Sequence, residues 1–216
     1  MLEITSTPLV LIAILGTVGI LLPIISIVRK EKGSNSFYAV IAFAALIVSM
    51  GYVGYQFLSE NVAPAALFSE DVIVDDAFGG LFAIAMLIVA LFTTVGSFNY
   101  MRKHNSPAVY YSLILLATIG MVLVAYSTDL VMLFVAWELM SIPTYVLVGF
   151  MKKNPSSNEA ALKYFLFGAL SSAIIVYGIS ISYGLTGSTN IGEVIQGYST
   201  LDPSLLPLAL LSVGMF

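Results

Sequence analysis

The sequence predicts an all-α fold, a polytopic transmembrane helix bundle, and three observations carry that prediction. Of its 216 residues 59% are apolar and only 9% are Asp, Glu, Lys or Arg, about a third of the charged share of a soluble domain. Mean hydropathy is +1.01. The apolar residues also fall in separate blocks of about 20 or more, each long enough to cross a hydrocarbon core of about 30 Å as a helix. The same composition excludes other classes. A net charge of −4 argues against a nucleic-acid partner, which needs a basic face. With no cysteine and one histidine, the chain lacks the side chains for disulfides, thiolate clusters or a His/Cys metal centre, and no cofactor is expected in it.

The first span runs from about Pro8 to Val28, with Glu3 the one charge before it. Lacking a basic start and having a long apolar region, it reads as a retained helix and not a secretory signal. Arg29-Lys30-Glu31-Lys32-Gly33 ends it, and Phe37 to Leu58 forms span two. A polar, acidic connection from Ser59 to Asp76 precedes span three, Ala77 to Phe98. After a loop holding Arg102, Lys103 and His104, span four covers Ala108 to Tyr126. Span five, Leu130 to Phe150, follows across only Ser127-Thr128-Asp129, so the two form an antiparallel hairpin in which Asp129 caps or turns the chain. Lys152, Lys153 and Pro155 lie before span six, Asn158 to Leu185, which leads through a polar loop, Thr186 to Ser204, into Leu205 to Phe216. That last run covers only about 18 Å of helix, short of the bilayer. The expectation is six full spans plus a truncated seventh, completed either by further chain or by another chain, with a fragment the favoured reading.

Loop charges set the orientation, because cytoplasmic loops collect Lys and Arg. Arg29, Lys30, Lys32, Arg102, Lys103, Lys152 and Lys153 all fall on one side, and the opposite loops hold no basic residue. The amino terminus is therefore expected outside. Phe37-Tyr38 and Tyr110-Tyr111 read as aromatic anchors at the inner interface.

Apart from Glu159 at the very start of span six, two charged residues lie inside the spans. Glu138 stands nine positions beyond Asp129, about 14 Å along the helix and near mid-membrane. A charge at that depth costs about 2.5–3.5 kcal/mol on insertion scales, so Glu138 should face the bundle interior and have a partner or titrate. Burial favours the neutral acid and a nearby cation the carboxylate, so a group balanced between them can take up and release a proton. The plainer alternative is a protonated acid acting as hydrogen-bonding glue. Pro143, five residues on, leaves the carbonyl of Leu139 without its helical donor, where water can bind; otherwise it is a packing kink. Ser141 and Tyr145, at i+3 and i+7 from Glu138, extend a polar stripe along the same face.

Lys163 stands four residues after Glu159, in the order that favours a helical ion pair, and Ser157-Asn158-Glu159 reads as the helix start. About 9 Å into the membrane by helical rise, it can snorkel back to the inner face or serve as a protonatable stop on the way to Glu138. Gly168 and Ser172, with Ala169 and Ala173 beside them, read as a close-packing surface. The basic loops read as topology determinants and contacts with anionic lipid.

The stretch Asp129-Leu130-Val131-Met132-Leu133-Phe134-Val135-Ala136-Trp137-Glu138-Leu139-Met140-Ser141-Ile142-Pro143, continuing through Tyr145 to Phe150, resembles the fifth helix of the N subunit of complex I, one of the antiporter-like proton channels. The likeness extends through Ser157 to Phe165 and Gly184 to Asn190, and is specific over Met121 to Asn190. The resemblance implies that Glu138 corresponds to the family's essential membrane glutamate and Lys163 to its helix-six lysine. It implies a parent fold of about fourteen helices with two inverted five-helix repeats, helices four to eight and nine to thirteen. On that reading residues 1–107 are three preceding helices and residues 108–216 the incomplete first repeat, ending before the helix-seven lysine.

The expected function is that of a proton-translocating membrane subunit of a complex-I-like NADH- or F420H2-linked quinone oxidoreductase, in a cell membrane or organelle inner membrane. Flavin, iron–sulfur clusters and quinone are then expected in partner subunits, alongside other membrane subunits and the lipid bilayer. A multi-subunit cation/proton antiporter and a structural assembly subunit remain as alternatives.

Overall fold

A computed structural model describes residues 6–29, 35–58, 72–102 and 106–215. Six of its helices are long and apolar enough to cross a membrane: α1 (Thr7–Arg29), α2 (Asn35–Leu58), α3 (Ala77–Met101), α4 (Pro107–Tyr126), α5 (Leu130–Val148) and α6 (Pro155–Thr186). They are followed by a short α7 (Ile191–Ser199), a 3-10 turn (Pro203–Leu205) and α8 (Leu206–Val213). The chain is a multi-pass membrane protein built as an α-helical bundle. The parts of the loops holding Lys30, Lys32, Glu60, Glu70, Asp71, Lys103 and His104 lie outside the described residues.

Helix α4 is the axle, packing against α1, α2, α3 and α5. Its small residues allow this. Ser112 donates its hydroxyl proton to the Gly19 carbonyl of α1 at 2.5 Å. Gly120 brings α4 against the backbone of α5 so closely that a Cβ there would stand 2.7 Å from Met140 Cα and 2.8 Å from the Ala136 carbonyl oxygen. Close backbone approach through small residues is how membrane helices gain packing energy without a hydrophobic driving force. The sides of α1, α2 and α3 away from α4 expose large apolar residues such as Ile27, Val40 and Phe92, as lipid contact requires.

At the end of the bundle that carries the amino terminus, two loops are laced to the α4–α5 turn. Val74 N donates to Tyr126 O at 3.0 Å and Thr128 N to Val72 O at 3.1 Å. From the other side Leu130 N donates to Thr189 O at 2.8 Å and Ile191 N to Thr128 O at 2.9 Å. The Asp129 carboxylate caps α5 by accepting from Val131 N and Met132 N. It also accepts from the Thr189 hydroxyl at 2.5 Å. The opposite end gathers Arg29, Arg102, Lys152 and Lys153, with Arg29 stacked over the Phe37 ring at 4.6 Å.

Four local expectations are corrected. Thr186 to Ser204 is not a loop throughout, since Asn190 accepts from Glu193 N and starts α7, which buries Val194. Helix α6 begins at Pro155 and not at Asn158. Asn154 caps it by accepting from Ser156 N at 3.0 Å, while the Ser157 hydroxyl instead ties back to the Val148 carbonyl at 2.7 Å. Tyr38 and Tyr111 are fully buried in the core and cannot act as interface anchors. Ser172 is more than a packing residue, as its contact with Glu138 shows.

Candidate functional site

Helix α5 turns two chemically distinct sides to its neighbours. Ala136 and Met140, two residues either way from Glu138, meet Gly120 of α4. A displacement of two residues rotates a helical side chain by roughly 200°, so Glu138 is directed away from α4. It points to α6, where Ser172 donates its hydroxyl proton to Glu138 Oε1. The carboxylate thus sits half-buried between two transmembrane helices with a hydroxyl as its hydrogen-bond partner.

The α5–α6 interface repeats in register from that point toward the basic end. A Cβ on Gly149 would stand 2.9 Å from Ala161 Cβ. Counting eleven residues inward from each of these reaches Glu138 and Ser172, as two antiparallel helices of equal rise require. Between the two levels lies Tyr145. Its ring packs edge-on against Tyr164 at 4.9 Å and Phe165 at 5.8 Å, and its tip fills the space left by Gly168, where a Cβ would stand 2.7 Å from Tyr145 Cζ. The absent side chain at Gly168 therefore admits a phenol hydroxyl one helical turn from Ser172.

Lys163 lies nearer the basic end. Its ammonium pairs with Glu159 at 2.5 Å, and both side chains are about two-thirds exposed (66% and 65%). This is the one ion pair among the described residues, so no described cation pairs directly with Glu138. Lys163 and Ser172 are nine residues apart on α6, about 14 Å along the axis, more than one lysine side chain spans. Pro143 and Ser141 are buried within α5, and the Thr144 hydroxyl donates to the Ser141 carbonyl at 2.7 Å.

Of the residues singled out from sequence, Glu138 and Tyr145 are therefore brought to the α5–α6 interface, whereas Glu159 and Lys163, two residues either side of Ala161, turn to the opposite face of α6. Glu138 and Tyr145 stand at successive levels of the seam between α5 and α6, and the Glu159–Lys163 pair lies outside it. Ser172 completes the deep end of the seam, and the register count is the signal that finds it. No group of three or more His, Cys, Asp or Glu able to hold a metal occurs among the described residues.

Known proteins share this architecture. Residues 127–216 match the membrane family described as "NADH:quinone oxidoreductase/Mrp antiporter, TM". NADH-quinone oxidoreductase subunit N 1 of Koribacter versatilis is 39% identical over 201 residues, covering 91% of this chain and 39% of that protein. F(420)H(2) dehydrogenase subunit N of Methanosarcina mazei is 36% identical over 174 residues, covering 79% of this chain and 35% of that protein. A chain of respiratory complex I from Thermus thermophilus, solved with bound aureothin, superposes with a TM-score of 0.71 at 27% identity, covering 95% of this chain and 42% of the other. The chain thus spans about two fifths of the length of the curated relatives it matches. On the relative 39% identical over 91% of the chain, with the family match over residues 127–216, the chain belongs to the antiporter-like membrane subunit family that NADH:quinone oxidoreductases share with Mrp antiporters.

Proposed function

We propose that this chain forms part of a proton-translocating membrane subunit in a complex-I-like NADH- or F420H2-linked oxidoreductase. Electron transfer is carried by partner subunits that hold flavin, iron–sulfur clusters and quinone, and this chain contributes a stretch of proton path. The single observation behind the reading is an intramembrane carboxylate, Glu138, held between α5 and α6 by the hydroxyl of Ser172. Glu138 is the proton carrier. Lys163, with Glu159, takes up protons at the basic end on the far face of α6, and Tyr145 stands at a level between it and Glu138 along the helix axis.

Water supplies the remaining links, since the roughly 14 Å from Lys163 to the level of Glu138 exceeds direct reach. The carbonyl of Leu139, freed by Pro143, is a binding point for that water. The loop charges support a cytoplasmic basic end and an amino terminus outside. Residues 108–216 form the opening of the first antiporter-like repeat, and residues 1–107 the helices before it.

Isolating the intact membrane complex separates this reading from its closest rival. Co-purifying flavin and iron–sulfur polypeptides, with donor oxidation coupled to proton release, support the oxidoreductase. Sodium-dependent proton flux without redox partners supports an antiporter and overturns it. Glu138→Gln tests the residue's role: the proposal requires loss of translocation, whereas a purely structural glutamate leaves it intact.

A further inference from the structure

A second feature lies at the basic end, away from Glu138. There the end of α3, the start of α4 and the end of α5 enclose an open cleft of about 890 Å³. Tyr100, Val109, Val146 and Phe150 form its walls, and Lys152 and Lys153 stand at its mouth. The cleft is built into the packing. The Phe150 ring meets Tyr110 edge-on at 5.2 Å, Tyr100 meets Tyr110 at 6.4 Å, and the Tyr110 and Ser97 hydroxyls are 2.9 Å apart. Tyr100, Val109 and Val146 are each at least two-fifths exposed on the flank of the bundle, where an aqueous ligand would meet the bilayer. Among the described residues Lys152 and Lys153 have no acidic partner, since Glu159 is committed to Lys163 and theirs is the one ion pair. Two uncompensated ammonium groups above an apolar trough complement a molecule with an anionic head and a hydrocarbon tail. The positive end of α6, which starts directly after Asn154, adds to that field.

We propose that this cleft binds one anionic phospholipid from the leaflet on the basic side. Its phosphate is held by Lys152 and Lys153, and an acyl chain lies along Tyr100, Val109 and Val146. The chemistry is separate from the proton path, so its failure would leave the reading of Glu138 untouched.

Photoactivatable phosphatidylglycerol and phosphatidylcholine, each carrying its reactive group on the acyl chain, are incorporated into phosphatidylcholine vesicles holding the intact complex. The expected result is preferential phosphatidylglycerol labelling between Val146 and Lys153. Lys152→Gln and Lys153→Gln should each lower it about fivefold at low salt, in line with one cation at an anionic surface. Val146→Trp, which fills the trough and keeps both charges, should abolish labelling of this segment by either lipid. Assembly of every variant is checked on native gels, and at least one of the three must assemble with labelling reduced. Equal labelling by the two lipids overturns the proposal, as does cross-linking of the segment to another polypeptide in the unmodified complex. Displacement of the labelled lipid by inorganic phosphate would mark an aqueous anion site and also overturn it.

Discussion

Glu138 draws its character from which groups reach it and which do not. Ser172 donates to its carboxylate, and a hydrogen bond to a charged group contributes about 1.5–3 kcal/mol. Ser172→Ala should therefore slow proton translocation in the assembled complex, while Ser172→Thr, which keeps the hydroxyl, restores it. An unchanged rate in the alanine variant would show that the contact has no bearing on translocation. Lys163 presents the opposite case. Its ion pair with Glu159 is two-thirds exposed, and exposed i,i+4 pairs contribute only about 0.3–0.5 kcal/mol, so the pair is a weak reason for lysine at that position. Lys163→Met should leave assembly intact and slow translocation. Translocation at the parent rate would reduce the lysine to a snorkelling side chain.

At the scale of helices, α5 is fixed at its face toward α4 and at its capped start, and each contact has a separable test. Gly120 admits the backbone of α5, and a side chain there forces the hairpin apart. Overpacking of this kind costs about 1–3 kcal/mol, so Gly120→Ala should lower the thermal midpoint of the solubilised protein. Asp129 caps α5 and ties it to Thr189. Its replacement by Ala should cost about 0.5–2 kcal/mol, and amide exchange should rise at Val131 and Met132 before it rises in α4. The spans, the hairpin and the Asp129 cap were legible in the sequence because apolar length and cap chemistry are local signals. Asn154 was missed because Ser157 offers a competing start three residues later. Helix α7 was missed because nine residues with two glycines carry little intrinsic helical preference, and packing onto α6 supplies the rest. Ser172 escaped because α6 is apolar on nearly every face, which leaves no periodicity to mark the side meeting α5.

For the whole molecule, α4 at the centre and two loops laced to the α4–α5 turn hold the helix that carries Glu138. Such a scaffold suits the role proposed for Glu138, a proton carrier kept at fixed depth. The burial of Tyr38 and Tyr111 shows a limit of single-sequence reading, since an aromatic near a span end serves a core as readily as an interface. What the sequence could assign most directly was the intramembrane charge, because nearly every other charged residue lies in or beside a loop. The central claim is that Glu138 carries protons during turnover. The direct measurement is the ratio of protons translocated to electrons transferred in vesicles holding the complete complex, with Glu138 intact and with Glu138→Gln. A marked fall in that ratio in the assembled variant, with Glu138→Asp retaining part of it, is the predicted result. An unchanged ratio in the glutamine variant would contradict it.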